Sequence, residues 1–434
     1  MESLQNGARK RWAILCTAIF ISMVMIEEAG KFCLSWYWGT SGEISRRVRG
    51  AELIAGDADG WRYLGQSLQY NFEENNPAEE ISYYRRAAEL DPHSADNWMD
   101  LAAAYEASGN ALEAESAYEE ARRNYPISAR VAWSYGNFLL RQGRTEQGLK
   151  EIHTALLTDP TLARNAIGAV WRFSPDVNLI LHGVLPDTAD AYWQALNFFG
   201  GIHDAQAGLA TWEDLMQHAN WWPLDLTRTF PFLDELIAEA RDDDATVVWR
   251  QALNASHWQE DPPSGNSVLW NGGFEAPIAG GGLDWRIVST PSALVSTDTR
   301  TVHSGERSLR VGFTGGMNLD YSGVHELVPV RADTSYELQG YMRTEDITTD
   351  SGMCLEAADP SHPKAEIFRT ERLTGTNEWT AVGVKVKTSS GTHFLDVRLR
   401  RLPSRLFDNK LGGTVWVDDV TLTPTSGGDA KSAQ

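Results

Sequence analysis

Three prolines, Pro92, Pro126 and Pro160, recur 34 residues apart (126 − 92 = 34 and 160 − 126 = 34). Gly109 and Gly143 keep that interval, as do Ala87, Ala121 and Ala155. Such a period belongs to a helix–turn–helix unit that buries its apolar face only by stacking on its neighbours. The residue types fit: alanine where helices cross, glycine between them, proline where the second helix stops. Segments 95–128 and 129–162 keep the period, although Gly148 and Ile152 weaken the match in the latter. In 51–94 Trp61, Leu64, Gly65, Tyr84, Ala87 and Pro92 hold the corresponding places. Trp61 and Trp98 lie 37 apart (98 − 61 = 37), so three extra residues (37 − 34 = 3) are expected near 73–76. Beyond 162 the period fades. Tyr192, Trp193, Leu196, Gly200, Ala207 and Leu215 read as one degenerate unit, and Phe232, Leu233, Leu236 and Ile237 as a further helix. The helical domain is expected over 51–255, its last part either atypical end units or a separate small helical domain.

The best unit, through Trp98, Ala102, Tyr105, Gly109, Ala114, Tyr118, Ala121 and Pro126, resembles a tetratricopeptide repeat. The resemblance implies a protein-binding scaffold in which the first helix of each unit lines a concave groove. Carried over residue by residue, it turns Arg62, Gln66 and Tyr70, then Met99, Ala103 and Glu106, then Trp133, Asn137 and Arg141 toward that groove. Arginine and amides there suit peptide backbone and carboxylates. The plainer alternative is a solvated groove without a dedicated ligand.

Segment 256–266 is polar, carries Pro262-Pro263 and marks a domain boundary. After it the apolar period becomes two, as in Leu309/Val311/Phe313, Val382/Val384/Val386 and Leu395/Val397/Leu399, which argues an antiparallel β-sandwich over 267–423. Asn271-Gly272-Gly273-Phe274-Glu275, Trp285, Ser304-Gly305-Glu306-Arg307-Ser308-Leu309 and Trp416-Val417-Asp418-Asp419-Val420 follow in an order similar to jelly-roll carbohydrate-binding modules of the galactose-binding-like type. The expected fold is therefore multidomain: an all-α helical-hairpin solenoid, then an all-β antiparallel jelly-roll sandwich. The resemblance implies a structural Ca²⁺ tying Glu275 to Asp418. Simple alternation sets Asp418 on one face with Trp416, Val420 and Leu422, where a carboxylate must be paired, neutralised or cation-bound. A bulge, or hydrogen bonds to backbone, is the alternative. Trp285, Tyr321, Tyr341, Phe368 and Trp379 are the candidate sugar platforms. Core packing competes for each except Tyr341, whose parity opposes Leu338, Gly340 and Met342 and is shared with Arg343.

Residues 1–11 end in Arg9-Lys10-Arg11, and 12–26 contain no charge. This is the pattern of a signal-anchor, with 27–50 as a juxtamembrane linker, although as a helix the run spans only about 22 Å of a ~30 Å hydrocarbon layer. A cleaved signal and a buried cytosolic helix are the alternatives. The tail 424–434 is rich in Gly and Ser and is expected to be disordered. A formal net charge of −21 argues against nucleic acid as a partner. Cys16, Cys33 and Cys354 make no framework, and a Cys33–Cys354 bridge stays open. No metal-binding His pair, nucleophile elbow, phosphate loop or dinucleotide fingerprint is present, so no catalytic residue and no cofactor beyond Ca²⁺ is expected. The sequence points to a non-catalytic bacterial envelope scaffold, anchored in the inner membrane with its bulk in the periplasm. Its repeats would bind protein and its sandwich glycan, in exopolysaccharide or cell-wall assembly. The rival is a polysaccharide lyase or hydrolase with a helical catalytic domain, against which the 34-residue period speaks.

Overall fold

The computed structural model describes residues 2–69, 76–218, 224–259, 261–288, 290–407 and 409–425, with backbone alone for 2–10. Tyr70, most of the expected insertion at 73–76 and the tail from 426 lie outside the described residues. The chain divides into two compact units, Met1–Asp187 and Thr188–Gln434.

In the first unit α1 (Glu2–Gly39) and α2 (Ile44–Leu53) precede three helical hairpins. These pair α3 (Ala58–Gln69) with α4 (Pro77–Leu90), α5 (Ala95–Ala107) with α6 (Ala111–Asn124), and α7 (Ala129–Arg141) with α8 (Thr145–Thr158). The helices α9 (Ala163–Phe173) and α10 (Val177–Gly183) complete it. Starts of α5 and α7, and of α6 and α8, are 34 apart (129 − 95 = 34; 145 − 111 = 34), while α3 starts 37 before α5 (95 − 58 = 37), so the extra length falls between α3 and α4. Ser94 and Ser128 cap α5 and α7 by accepting the amides of Asn97 and Val131. Gly109 and Gly143 take left-handed φ of 77° and 75° in the hairpin turns, where a side chain would be strained. Ala102 and Ala121 are fully buried. A Cβ at Gly136 would meet Ile152 at 2.8 Å and the Gly148 carbonyl at 2.9 Å, so the departure at Gly148 reflects a closer helix crossing.

The second unit opens with α11 (Ala189–Gly201), α12 (Ala205–Gln217), α13 (Phe230–Ala238) and α14 (Asp242–Ser256). Among the described residues ten strands follow: β1 (Arg286–Ile287), β2 (Ala293–Asp298), β3 (Ser308–Thr314), β4 (Tyr321–Pro329), β5 (Ser335–Ile347), β6 (Cys354–Ala358), β7 (Phe368–Arg369), β8 (Gly375–Lys387), β9 (Phe394–Arg401) and β10 (Gly412–Pro424). They form two antiparallel five-stranded sheets, ordered β1-β4-β9-β6-β7 and β2-β3-β10-β5-β8. Alternate residues of both sheets, among them Leu309, Val311, Leu338, Met342, Leu355, Val397, Leu399, Val415 and Val417, build the core between them. Within this unit the helices are fastened to the sandwich. Trp249 meets Trp270 edge-on at 6.3 Å, Asp234 of α13 pairs with Arg286 at 2.6 Å, and Asp242 of α14 pairs with His393 at 2.8 Å. The four helices thus share a unit with the sandwich, where the sequence grouped them with the repeats.

Candidate functional site

The helix faces assigned to the repeat groove are already engaged with one another. Arg62 Nε donates to Asp100 at 2.6 Å, Gln66 joins the same carboxylate at 3.1 Å, and Arg130 reaches Asp96 at 2.8 Å. Arg141 forms a forked pair with Glu106 at 2.6 and 3.0 Å. These arginines tie successive repeats together; they are not waiting cations. Asn137 returns its amide to the Trp133 carbonyl at 2.8 Å, and Trp133 and Ala103 are half-buried. Met99 corrects the expectation: it is buried, packed with Ala95, Ala121 and Val131 where the hairpins meet.

Two expected sugar platforms are also corrected. Trp285 is 1% exposed, tilted against Phe274 with centroids 5.2 Å apart and donating its indole N–H to the Asn271 carbonyl at 3.1 Å. Tyr321 is 2% exposed and edge-on to Phe313. Neither ring has a face to offer. Phe368 packs partly on the core and lines an open pocket of about 470 Å³ with Asp333, Glu366 and Lys387. Tyr341 and Arg343 do face outward on β5, but their surroundings are filled. His303 stacks on Tyr341 with centroids 3.5 Å apart, Trp379 meets His303 edge-on at 5.7 Å, and Arg343 lies over Trp416 and 3.6 Å from Glu378. Arg310 flanks Trp416 from the neighbouring strand. This outer face is self-satisfied.

The placement of Asp418 has a cause that alternation misses. Asp419 adopts a left-handed φ of 51° and the β10–β5 register shifts between Asp418 and Thr421. Trp416 and Asp418 therefore share the outer face, while Val415, Val417, Val420 and Leu422 point into the core. The apolar face expected around Asp418 is thus absent. It is nevertheless fully covered, because the amides of His303, Ser304 and Asp419 donate to it at 2.9, 3.3 and 2.8 Å. Burial, with a push from the Asp419 charge, raises its carboxyl to about 6 against the pull of those amides. Nearby, Glu275 accepts the amides of Glu306 and Arg307 at 2.8 and 3.1 Å. Asp261 is pushed up by burial and then by Glu275 and Asp419. Four acids against His303, paired to Asp419 at 2.6 Å, suit a cation in charge. Yet the one group of three imidazole or carboxylate ligands within 4.8 Å of one another among the described residues is His203, Glu235 and Glu239. A cation at Glu275 and Asp418 would therefore draw its other ligands from backbone oxygens. Cys16, Cys33 and Cys354 are unpaired.

A site that the sequence reading missed lies on the outer face of the first sheet. Cross-strand partners place Arg286, His325, Arg398, Glu356 and Arg369 side by side, one from each of β1, β4, β9, β6 and β7. Four inter-strand gaps carry this row about 19 Å. At its centre the Glu356 carboxylate is fully buried and accepts from Arg369 at 2.5 Å and from Arg398 Nε at 2.6 Å, with Arg400 Nε 3.7 Å away. Asp396 takes Arg398 at 3.2 Å and His325 at 3.1 Å. Arg400 pairs with Asp320, and the Nε atoms of Arg286 and Arg400 are buried without an acceptor. The alternation Asp396, Arg398, Arg400 on β9 was the available sequence signal.

No protein-family model matches the chain, and no curated protein does. Among solved structures it is similar to YrrB, described as a TPR protein with an unusual peptide-binding site, at 13% identity over 49% of this chain and 92% of that chain, TM-score 0.26. It is similar to TmCBM61, solved in complex with beta-1,4-galactotriose, at 16% identity over 37% of this chain and 100% of that chain, TM-score 0.27. The enzymatically active domain of Bacteriophage CBA120 tailspike protein 4 matches at 11% identity over 37% of this chain but only 22% of that chain, TM-score 0.27. At such identities and scores the likeness carries no ligand, activity or role with it.

Proposed function

We propose that this chain is a non-catalytic scaffold whose sandwich takes up a glycan on the outer face of the β1-β4-β9-β6-β7 sheet, while its repeats engage a protein partner. The observation that carries the reading is the polar row across that sheet. It is fixed by cross-strand register and presents the partly exposed side chains of His325, Arg398 and Arg369 on one face. Sugar hydroxyl and ring oxygens can accept from the remaining N–H groups of such side chains. An anchor fits α1, whose stretch from Arg11 has the length and hydropathy to cross a membrane and is not buried within the structure. A bacterial envelope, with the bulk of the chain in the periplasm and a part in exopolysaccharide or cell-wall assembly, is the setting that joins these parts. A structural Ca²⁺ at Glu275 and Asp418 belongs to the same reading.

The test is retention of the full chain, in mild detergent, by immobilised polysaccharides spanning glucans, galactans and polyuronates. Glycan retention that is lost in Arg398→Ala but kept in Arg310→Ala supports the sheet assignment. Retention by none of the polymers overturns it.

A further inference from the structure

We propose that His203, Glu235 and Glu239 form a binding site for a divalent transition-metal ion of the zinc class, which pins the turn between α11 and α12 to the end of α13. Each of the three side chains offers one ligand atom within 4.8 Å of the other two. Glu235 and Glu239 stand one turn apart at the end of α13, so their carboxylates share a helix face. His203 approaches from the α11–α12 turn and sets Nδ1 2.5 Å from a Glu235 oxygen. An imidazole and two carboxylates are a donor set that zinc takes at about 2.0–2.2 Å, with ligand atoms about 3.4 Å apart in a tetrahedron. Reaching that spacing asks His203 to draw back and Glu239 to draw in by on the order of 1 Å. Both are exposed and free to do so, while Glu235, with 13% of its side chain exposed, is the fixed anchor.

Two further observations favour a cation here. The α11–α12 turn is built like the hairpin turns of the repeats. The Asp204 amide returns to the Phe199 carbonyl at 3.0 Å, as Asn110 does to Tyr105 and Arg144 to Leu139, both at 2.9 Å. The repeats place Gly109 and Gly143 at the left-handed position of that turn, whereas here it is His203, with φ 57°. A side chain at such a position works against its own backbone, which points to a task for the imidazole itself. The second observation is electrostatic. The helices α11 and α13 end at Gly201 and Ala238, beside these ligands, and neither carries a basic residue in its last turn. Two carbonyl-bearing helix ends and two carboxylates therefore gather without a lysine or arginine partner among the described residues. A protonated His203 balances one of those carboxylates; a divalent ion balances both. Asp234, next to Glu235, holds Arg286 of β1 at 2.6 Å. The ion would thus fasten to α11 and α12 the same turn of α13 that is fastened to the sandwich. Three protein ligands leave one position for water or for a donor from outside the chain.

The experiment is a calorimetric titration of Zn²⁺ into the full chain, stripped of metal and held in mild detergent, with melting curves taken with and without the ion. A saturable zinc site and a zinc-dependent rise in melting temperature are expected. Glu235→Gln and Glu239→Gln should each weaken binding about tenfold or more. His203→Gly removes the imidazole and relieves the left-handed strain, and the exposed ion pair it loses is worth little. That variant should melt no lower than the parent without metal, yet lose both the site and the zinc-dependent rise. Asp418→Ala should keep both, which separates this site from a Ca²⁺ position in the sandwich. The proposal is overturned if the parent shows no saturable zinc binding, or if parent and His203→Gly bind zinc equally and gain equally in melting temperature.

Discussion

Glu356→Gln tests whether the centre of the charged row is structural glue of the kind its burial implies. The carboxylate is fully buried, and three guanidiniums with side-chain exposures of 31%, 24% and 14% surround it. Removing its charge leaves those cations without their shared counter-ion in a dry setting, which costs about 3–5 kcal/mol. For a unit of this size, 247 residues (434 − 187 = 247), each kcal/mol shifts the melting temperature by roughly 2–4 °C, so a fall of about 6–20 °C is expected. Asp100→Asn in the repeats is the matched control. It removes the same kind of carboxylate from Arg62 in a pair whose side chains are 23% and 17% exposed, and should cost about 1 kcal/mol or less. Calorimetry of the full chain is the assay. A Glu356→Gln melting temperature within about 2 °C of the parent would refute the reasoning, because the guanidiniums would then be finding acceptors elsewhere. Replacing Glu356, Arg369 and Arg398 together by leucine or methionine should recover most of the loss.

Stability should rise on acidification. Burial raises Asp284 to about 6 despite amides from Ala279 and Trp285, and burial holds Glu326 well above the usual carboxylate range. Both native pKa values exceed the unfolded ones, so the folded state binds more protons and stability falls as pH climbs from about 4 through 6 and beyond. Melting at pH 5 and 8 reads this, and Glu326→Gln should flatten the profile; a chain more stable at pH 8 contradicts it. Excess Ca²⁺ should raise the melting temperature, by about 2.7 kcal/mol in stability at a hundredfold over Kd, and Asp418→Ala should remove the gain. An unchanged melt with and without chelator counts against that site. Cell membranes carrying the full chain should keep it through a carbonate wash, and its release in intact form would sink the anchor.

What the sequence disclosed was whatever depends on neighbours along the chain. The 34-residue spacing of Pro92 and Pro126 and of Gly109 and Gly143 encodes hairpin length directly, and the alternation in Leu395, Val397 and Leu399 encodes one face of a strand. Alternation gives parity without telling how thick the cover is, so Trp285 and Tyr321 read as platforms although both are buried. A single left-handed residue, Asp419, was enough to invert the faces around Asp418. The row from Arg286 to Arg369 escaped because its members lie on strands brought together only by topology. Arg62, Glu106 and Arg141 were placed on the groove helices, but their pairing across repeats, Arg62 with Asp100 and Arg141 with Glu106, had no signal in the spacing.

The first helix has a mechanical corollary. It runs without a break from Glu2 to Gly39, and the Ser35 hydroxyl donates to the Gly50 carbonyl of α2 at 2.7 Å. A Cβ at Gly50 would meet the Ser35 carbonyl at 3.0 Å and Trp38 at 3.3 Å, so the two helices are locked at their crossing. Between the apolar run and that crossing there is no hinge, only about 12 Å of helix from 27 to 35. With α1 seated in a bilayer as proposed, the repeats ride on a stiff mast instead of a tether. Rotation of the mast about its axis then sets the compass bearing of the array, and a partner fixed in the same membrane meets it by a search in two dimensions.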